Sequence, residues 1–174
     1  TQDILLADGT VHGTNVAGLL RANRPNPSGE YIMILAHYDH MGTHSEGVFA
    51  GADDNASGVA AMLEVARAIR AENPERQHDI VFVSPDCEEP RDVRTPRMGA
   101  VYLMRHSPRP VDAMRLALIV DCVGNDSTDV RPEAGRGGRT RRFMLVGAET
   151  SPNSSRLVQG LGNDPGTEAL RASV

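Results

Sequence analysis

Lysine is absent from this chain of 174 residues, so its eighteen positive charges are all arginine. We read that as a compositional bias of the source and not as a mark of function. Long apolar runs are missing too: no stretch approaches the ~18 consecutive apolar residues a membrane helix needs, so no membrane partner is expected. The opening Thr1-Gln2-Asp3 has neither a basic n-region nor an apolar h-region, so no signal peptide is expected within these residues. A cytosolic protein and one whose leader has been removed both fit. Nor is there an excess of positive charge. The formal net charge is −5, which argues against nucleic acid, a partner usually met by a basic patch. Two cysteines, Cys87 and Cys122, are too few for a disulfide framework. Each reads as a small buried residue and not as a metal ligand.

What is present is a regular alternation of apolar runs and turn signals, in a chain whose length suits one domain with a real core. Residues 15–20 read as a strand, broken by the Pro25/Pro27/Gly29 cluster. Residues 31–37 are nearly continuously apolar, as in a strand covered on both faces. Residues 41–51 read as a loop. Over 57–72 the pattern turns helical, with Val59, Met62, Leu63, Ala66 and Ile69 on one stripe, and Asn73-Pro74 ends it. A second buried strand spans 80–84, a helix 98–106, and a third buried strand 116–121. Residues 131–142 read as an exposed loop, 143–147 as a strand, and 155–160 as the start of a last helix. Buried strands alternating with helices predict an α/β sandwich with helices on both faces of a largely parallel sheet, which short extra strands would make mixed.

Three of the apolar runs lead into a metal-type ligand: His37, the pair Glu88-Glu89, and Asp121. In open α/β sheets the carboxyl ends of strands are where catalytic groups gather. His37 and Asp39, two residues apart, share one side of an extended chain, so Asp39 can orient the imidazole; a core histidine beside a chance aspartate is the bland alternative. Asp53 and Asp54 sit in a tight turn where like charges repel unless a cation or donors lie between them, although Asn55 or Ser57 can also serve there as a helix cap. Glu88-Glu89 is either a solvated acidic loop or a ligand next to a base. One histidine and three carboxylates suit zinc, and a bridging carboxylate suits two ions.

The segments Ala36-His37-Tyr38-Asp39-His40-Met41-Gly42 and Gly51-Ala52-Asp53-Asp54-Asn55-Ala56-Ser57-Gly58, followed by Glu88-Glu89 and Asp121, resemble the co-catalytic di-zinc aminopeptidases. That family includes bacterial leucyl aminopeptidases and is related to glutamate carboxypeptidases and glutaminyl cyclases. The resemblance covers roughly residues 15–124. It implies a three-layer α/β/α sandwich around a mixed sheet, peptide substrates, and two Zn2+ ions per complete site. His37 and Asp121 would bind the first ion, Asp54 would bridge both across a peptide bond to Asn55 that can be cis, and Glu89 would bind the second. Asp39 would orient His37, and Glu88 would be the general base. Secretion of many members leans the localisation towards the periplasm or beyond.

Three departures stand out. Residues 90–97 replace the family's glycine-rich turn, Cys122 follows Asp121 where methionine is common, and no histidine follows His106 to supply the family's last ligand. His40 and His44, beside the site, are possible substitutes for it. The expectation is therefore a catalytic domain over 1–174, incomplete at its C-terminus, that releases N-terminal residues when whole and binds one zinc better than two. Two alternatives stay open: a single-zinc acyltransferase of the glutaminyl cyclase type, and a peptidase-like domain that binds without catalysing.

Overall fold

In the computed structural model, which describes residues 1–124 apart from Glu46, Pro90 and Val93, together with the backbone of a strand at 142–145, the chain opens with β1 (Gln2–Leu5), β2 (Val11–Leu20) and β3 (Tyr31–Leu35). A small hairpin, β4 (Gly42–His44) and β5 (Gly47–Phe49), leads into helix α1 (Gly58–Glu72). Then come β6 (Asp79–Ser84), α2 (Gly99–Arg105), β7 (Met114–Asp121) and β8 (Arg142–Leu145). The main sheet has the order β1-β2-β6-β3-β7-β8. Its three central strands, β6, β3 and β7, are parallel, and the strands outside them pair antiparallel. The sheet is thus mixed, with its parallel character held at the centre.

Side-chain alternation along these three strands builds two cores. Tyr31, Met33 and Leu35 of β3 join Val83 and Ala117 on one face, where Leu103 of α2 covers them. Ile34, Ile80 and Val120 line the other face with Ala36, just past β3, and there Met62 of α1 covers them. Helices on both faces explain why the central strands are apolar almost throughout. Fully burying a side chain the size of Met62 contributes about 1.5–3 kcal/mol.

Helix α1 makes the crossover between the parallel neighbours β3 and β6. Its apolar stripe is narrower than periodicity suggests: Leu63 is 60% exposed, at the stripe's edge. Asn73, in the left-handed conformation, returns its N–H to Ile69 and ends the helix. At the other end Asn55 is fully buried. Its Oδ1 accepts the N–H groups of Gly58 and Cys122, at 3.1 and 3.2 Å. Its Nδ2 donates to Val120 O at 2.9 Å. One amide therefore caps α1 and ties it to the carboxyl end of β7. A Cβ on Gly58 would come within 2.2 Å of that Oδ1, so only glycine lets helix and strand approach this closely.

Several boundaries differ from expectation. Residues 41–51 contain the β4–β5 hairpin, which short, exposed, glycine-bearing strands conceal in the sequence. β1 was not anticipated, and β2 begins at Val11, ahead of its apolar part. β3 ends at Leu35, although the N–H groups of Ala36 and Tyr38 still bond to Val83 and Pro85. Of the expected loop at 131–142 only Arg142 is described, and it opens β8; the rest of that loop and the helix at 155–160 lie outside the described residues.

Candidate metal centre

The carboxyl ends of β3, β6 and β7 deliver His37, Glu88 and Asp121 to one place, and the turn before α1 delivers Asp54. Asp53 and Asp54, adjacent in sequence, part company here. Asp53 Oδ1 accepts the Gly124 N–H at 2.8 Å, and its backbone carbonyl accepts the Ser57 hydroxyl at 2.7 Å, so that side chain is spent on structure. Asp54, joined to Asn55 by a cis peptide bond, places its Oδ1 3.1 Å from His37 Nε2. Asp121 Oδ1 lies 3.5 Å and Glu88 Oε2 3.8 Å from the same nitrogen. Asp39 Oδ1 stands 3.4 Å from Nδ1 on the ring's other side. Asp39 is itself fixed, since its Oδ2 accepts the N–H groups of Glu88 and Glu89 at 2.9 and 3.2 Å. One carboxylate thus faces the imidazole while gripping the segment that carries the two glutamates.

His37 is buried, yet neither ring nitrogen has a hydrogen-bond partner of good geometry among the described residues, and neither has Asp121 Oδ1. Buried polar atoms are seldom left so. Ligand atoms of His37, Asp54 and Asp121 lie within 4.8 Å of one another. Zinc held at ~2.1 Å by tetrahedral N and O ligands sets those ligands about 3.4 Å apart. The His37 contacts to Asp54 and Asp121, 3.1 and 3.5 Å, bracket that spacing. The donors present therefore fit such an ion.

Charge argues in the same direction. Burial, the largest influence, pushes Glu88 up to about 7, with Asp121, Glu89 and Asp39 adding to it against His37. Asp54 is raised by burial and by the charge of Asp121, and Glu89 by burial and by Asp54. Burial pulls the His37 imidazole down, but Asp121, Asp39 and Glu88 outweigh it and lift the ring to about 10. In the metal-free chain a proton on His37 is the available cation among these acids.

A second histidine-containing cluster lies at the start of β2. His12 Nε2 is 3.0 Å from Asp92 Oδ2, and Cys87 Sγ joins them within 4.8 Å. Asp92 is fully buried, but Arg91 Nε and Arg97 Nε reach it at 2.9 and 3.1 Å. Burial and the neighbouring charges of Asp86 and Asp92 push the Cys87 thiol up to about 11. With two guanidinium groups on the acid and a protonated thiol, this cluster has little to offer a cation. Neither Asp92 nor His12 stood out in sequence, because nothing in the spacing links residues 80 positions apart. Cys122 is half-buried and unpaired.

A cavity of about 290 Å³ opens between the two clusters, with Asp39, Glu89, His40 and His44 on its walls. His40 Nδ1 lies 3.0 Å from Phe49 O, and His44 Nε2 lies 2.9 Å from Met41 O. One nitrogen of each ring is thus engaged by the hairpin backbone.

Residues 15–167 match the model of Peptidase family M28. Over 89 residues the chain is 37% identical to the uncharacterized protein YfbL of Escherichia coli K12, covering 49% of this chain and 27% of that protein. A leucine aminopeptidase precursor from Bacteroides thetaiotaomicron superposes with a TM-score of 0.51 at 25% identity, over 72% of this chain and 47% of its own. A Zn-dependent exopeptidase from Parabacteroides distasonis gives 0.50 at 25% identity, over 70% and 46%. A glutaminyl cyclase from B. thetaiotaomicron gives 0.58 over 99% of this chain and 59% of that one; at 22% identity it speaks for the fold alone. The chain spans less than two thirds of the length of each of these proteins.

Proposed function

The chain belongs to peptidase family M28, and from that premise we propose that it carries the metal-binding part of a zinc-dependent exopeptidase, an aminopeptidase that releases N-terminal residues. The observation that carries this reading is His37 Nε2, buried without a hydrogen-bond partner among the described residues and faced by carboxylate oxygens of Asp54, Asp121 and Glu88. His37, Asp54 and Asp121 would hold the first zinc. Asp54 and Glu89 would contribute to a second, which finds no further histidine after His106 in this chain. We therefore propose one tight ion and one weak one. Zinc, when bound, supplies a Lewis acid that polarises the scissile carbonyl and acidifies water.

The chain's own residues do the rest. Asp39 accepts from the Glu88 and Glu89 N–H groups, and so ties the segment that carries both glutamates to the imidazole it faces. Glu88, 3.8 Å from His37 Nε2, would take the proton of the attacking water and hand it to the leaving amine. Glu88→Gln tests this: zinc content should stay at the wild-type level while kcat for a dipeptide surrogate falls by about 10²–10⁴-fold. Retention of most of the turnover would remove Glu88 from the role of base.

A further inference from the structure

Resting on the peptidase reading, we infer that Arg91 is a specificity-determining residue which receives a carboxylate of the substrate in the cavity beside the metal centre. Asp39 and Glu89 line that cavity together with Arg91, Asp92 and His12. Glu89 and Arg91 are two residues apart in the segment that leaves β6, and both line the cavity.

Arg91 is both anchored and available. Its Nε donates to Asp92 Oδ2 at 2.9 Å, and Asp92 is buried, held also by His12 and Arg97. Yet the Arg91 side chain is 78% exposed, and its terminal amino groups have no hydrogen-bond partner among the described residues. A guanidinium fixed through Nε keeps its two terminal groups as a fork that matches a carboxylate. Asp92 carries one negative charge against two guanidinium groups, so the cluster retains positive charge after its internal pairing.

The other acids of the wall are already engaged. Asp86 accepts the Thr14 N–H, the Tyr38 hydroxyl and the Cys87 N–H, and Asp39 accepts from Glu88 and Glu89. A carboxylate entering the cavity meets the terminal amino groups of Arg91, while Asp39 and Asp86 keep the donors they already hold. The substrate class is therefore peptides presenting a carboxylate near the scissile bond. An acidic side chain and the free terminus of a short peptide offer the same chemistry. Arg91 and its anchor Asp92 are neighbours in the polar stretch that follows Glu88-Glu89.

The test pairs hydrolysis with binding. Zinc-loaded wild type, Arg91→Ala, Arg91→Lys and Arg97→Ala are assayed against amidated peptides with acidic, neutral or basic side chains and against neutral peptides with a free carboxyl end. Wild type should favour the carboxylate-bearing peptides. Arg91→Ala should lose at least about tenfold in kcat/KM for these alone, with partial recovery in Arg91→Lys and none of the loss in Arg97→Ala. The group that loses, side chain or terminus, identifies the source of the carboxylate. Calorimetric titration with glutarate and its neutral diamide reads the site without turnover: glutarate should bind at least about tenfold more weakly to Arg91→Ala, and the diamide equally to both. A failure of wild type to cleave any peptide while this binding difference holds would sink the peptidase reading and leave the subsite standing. Equal glutarate binding by wild type and Arg91→Ala, equal losses in Arg97→Ala, or a preference for basic peptides would overturn the inference.

Discussion

The two clusters at the active end use similar residues to opposite ends. Around His37 stand Asp39, Asp54, Glu88 and Asp121, within 3.1–3.8 Å of the ring nitrogens, and no guanidinium pairs with them among the described residues. Around Asp92 stand His12, Arg91 and Arg97, so its buried charge is answered inside the protein. A histidine and an acid in contact do not by themselves mark a metal site. What distinguishes the first cluster is surplus negative charge and unpartnered buried nitrogens, which only a cation or a proton relieves. The second answers its buried acid from within and leaves the Arg91 guanidinium largely exposed.

The sharpest way to break this comparison is to remove one acid from each. Asp54→Ala should abolish tight zinc binding, whereas Asp92→Ala should leave zinc stoichiometry unchanged, as measured by metal analysis of the purified variants. Equal losses in both would erase the distinction. Next in size is Asp39→Asn, which keeps the shape but weakens the orientation of His37; zinc affinity should fall by about 10–100-fold in competition with a chelator. Smaller again is the stability cost of Asp92→Ala, about 1–3 kcal/mol in urea unfolding, because the arginines it frees are exposed and can hydrate.

The smallest effect is a pH dependence. Burial raises the Asp92 carboxyl, but Arg91 and His12 outweigh it and hold it below its ordinary 3.8. The stability it contributes is present above that value and is lost as pH falls below it through the depressed folded-state value. Acid unfolding of Asp92→Asn should lack this component, and an unchanged acid limb would show that the ion pairs contribute nothing.

Much of this was legible in sequence for physical reasons. The central strands announce themselves because both faces are covered, leaving apolar runs that end in His37 and Asp121. The turn from Gly51 to Gly58 is legible because close packing of α1 on β7 admits only Gly58 and needs the Asn55 amide. Sequence did not separate Asp53 from Asp54 without the family resemblance; the difference lies in the Gly124 N–H, distant in the chain. The hairpin at 42–49 escaped because its strands are short, exposed and without alternation. The Asp92 cluster escaped because it joins β2 to a polar segment across 80 residues.

Cobalt titration of the metal-free chain tests the central claim most directly, since Co2+ takes zinc's place and reports its ligands by colour. The account predicts one tightly bound ion per chain, with visible bands that vanish in His37→Ala and no thiolate-to-cobalt charge-transfer band. A charge-transfer band that disappears in Cys87→Ser, with binding indifferent to His37, would place the metal in the other cluster and contradict it.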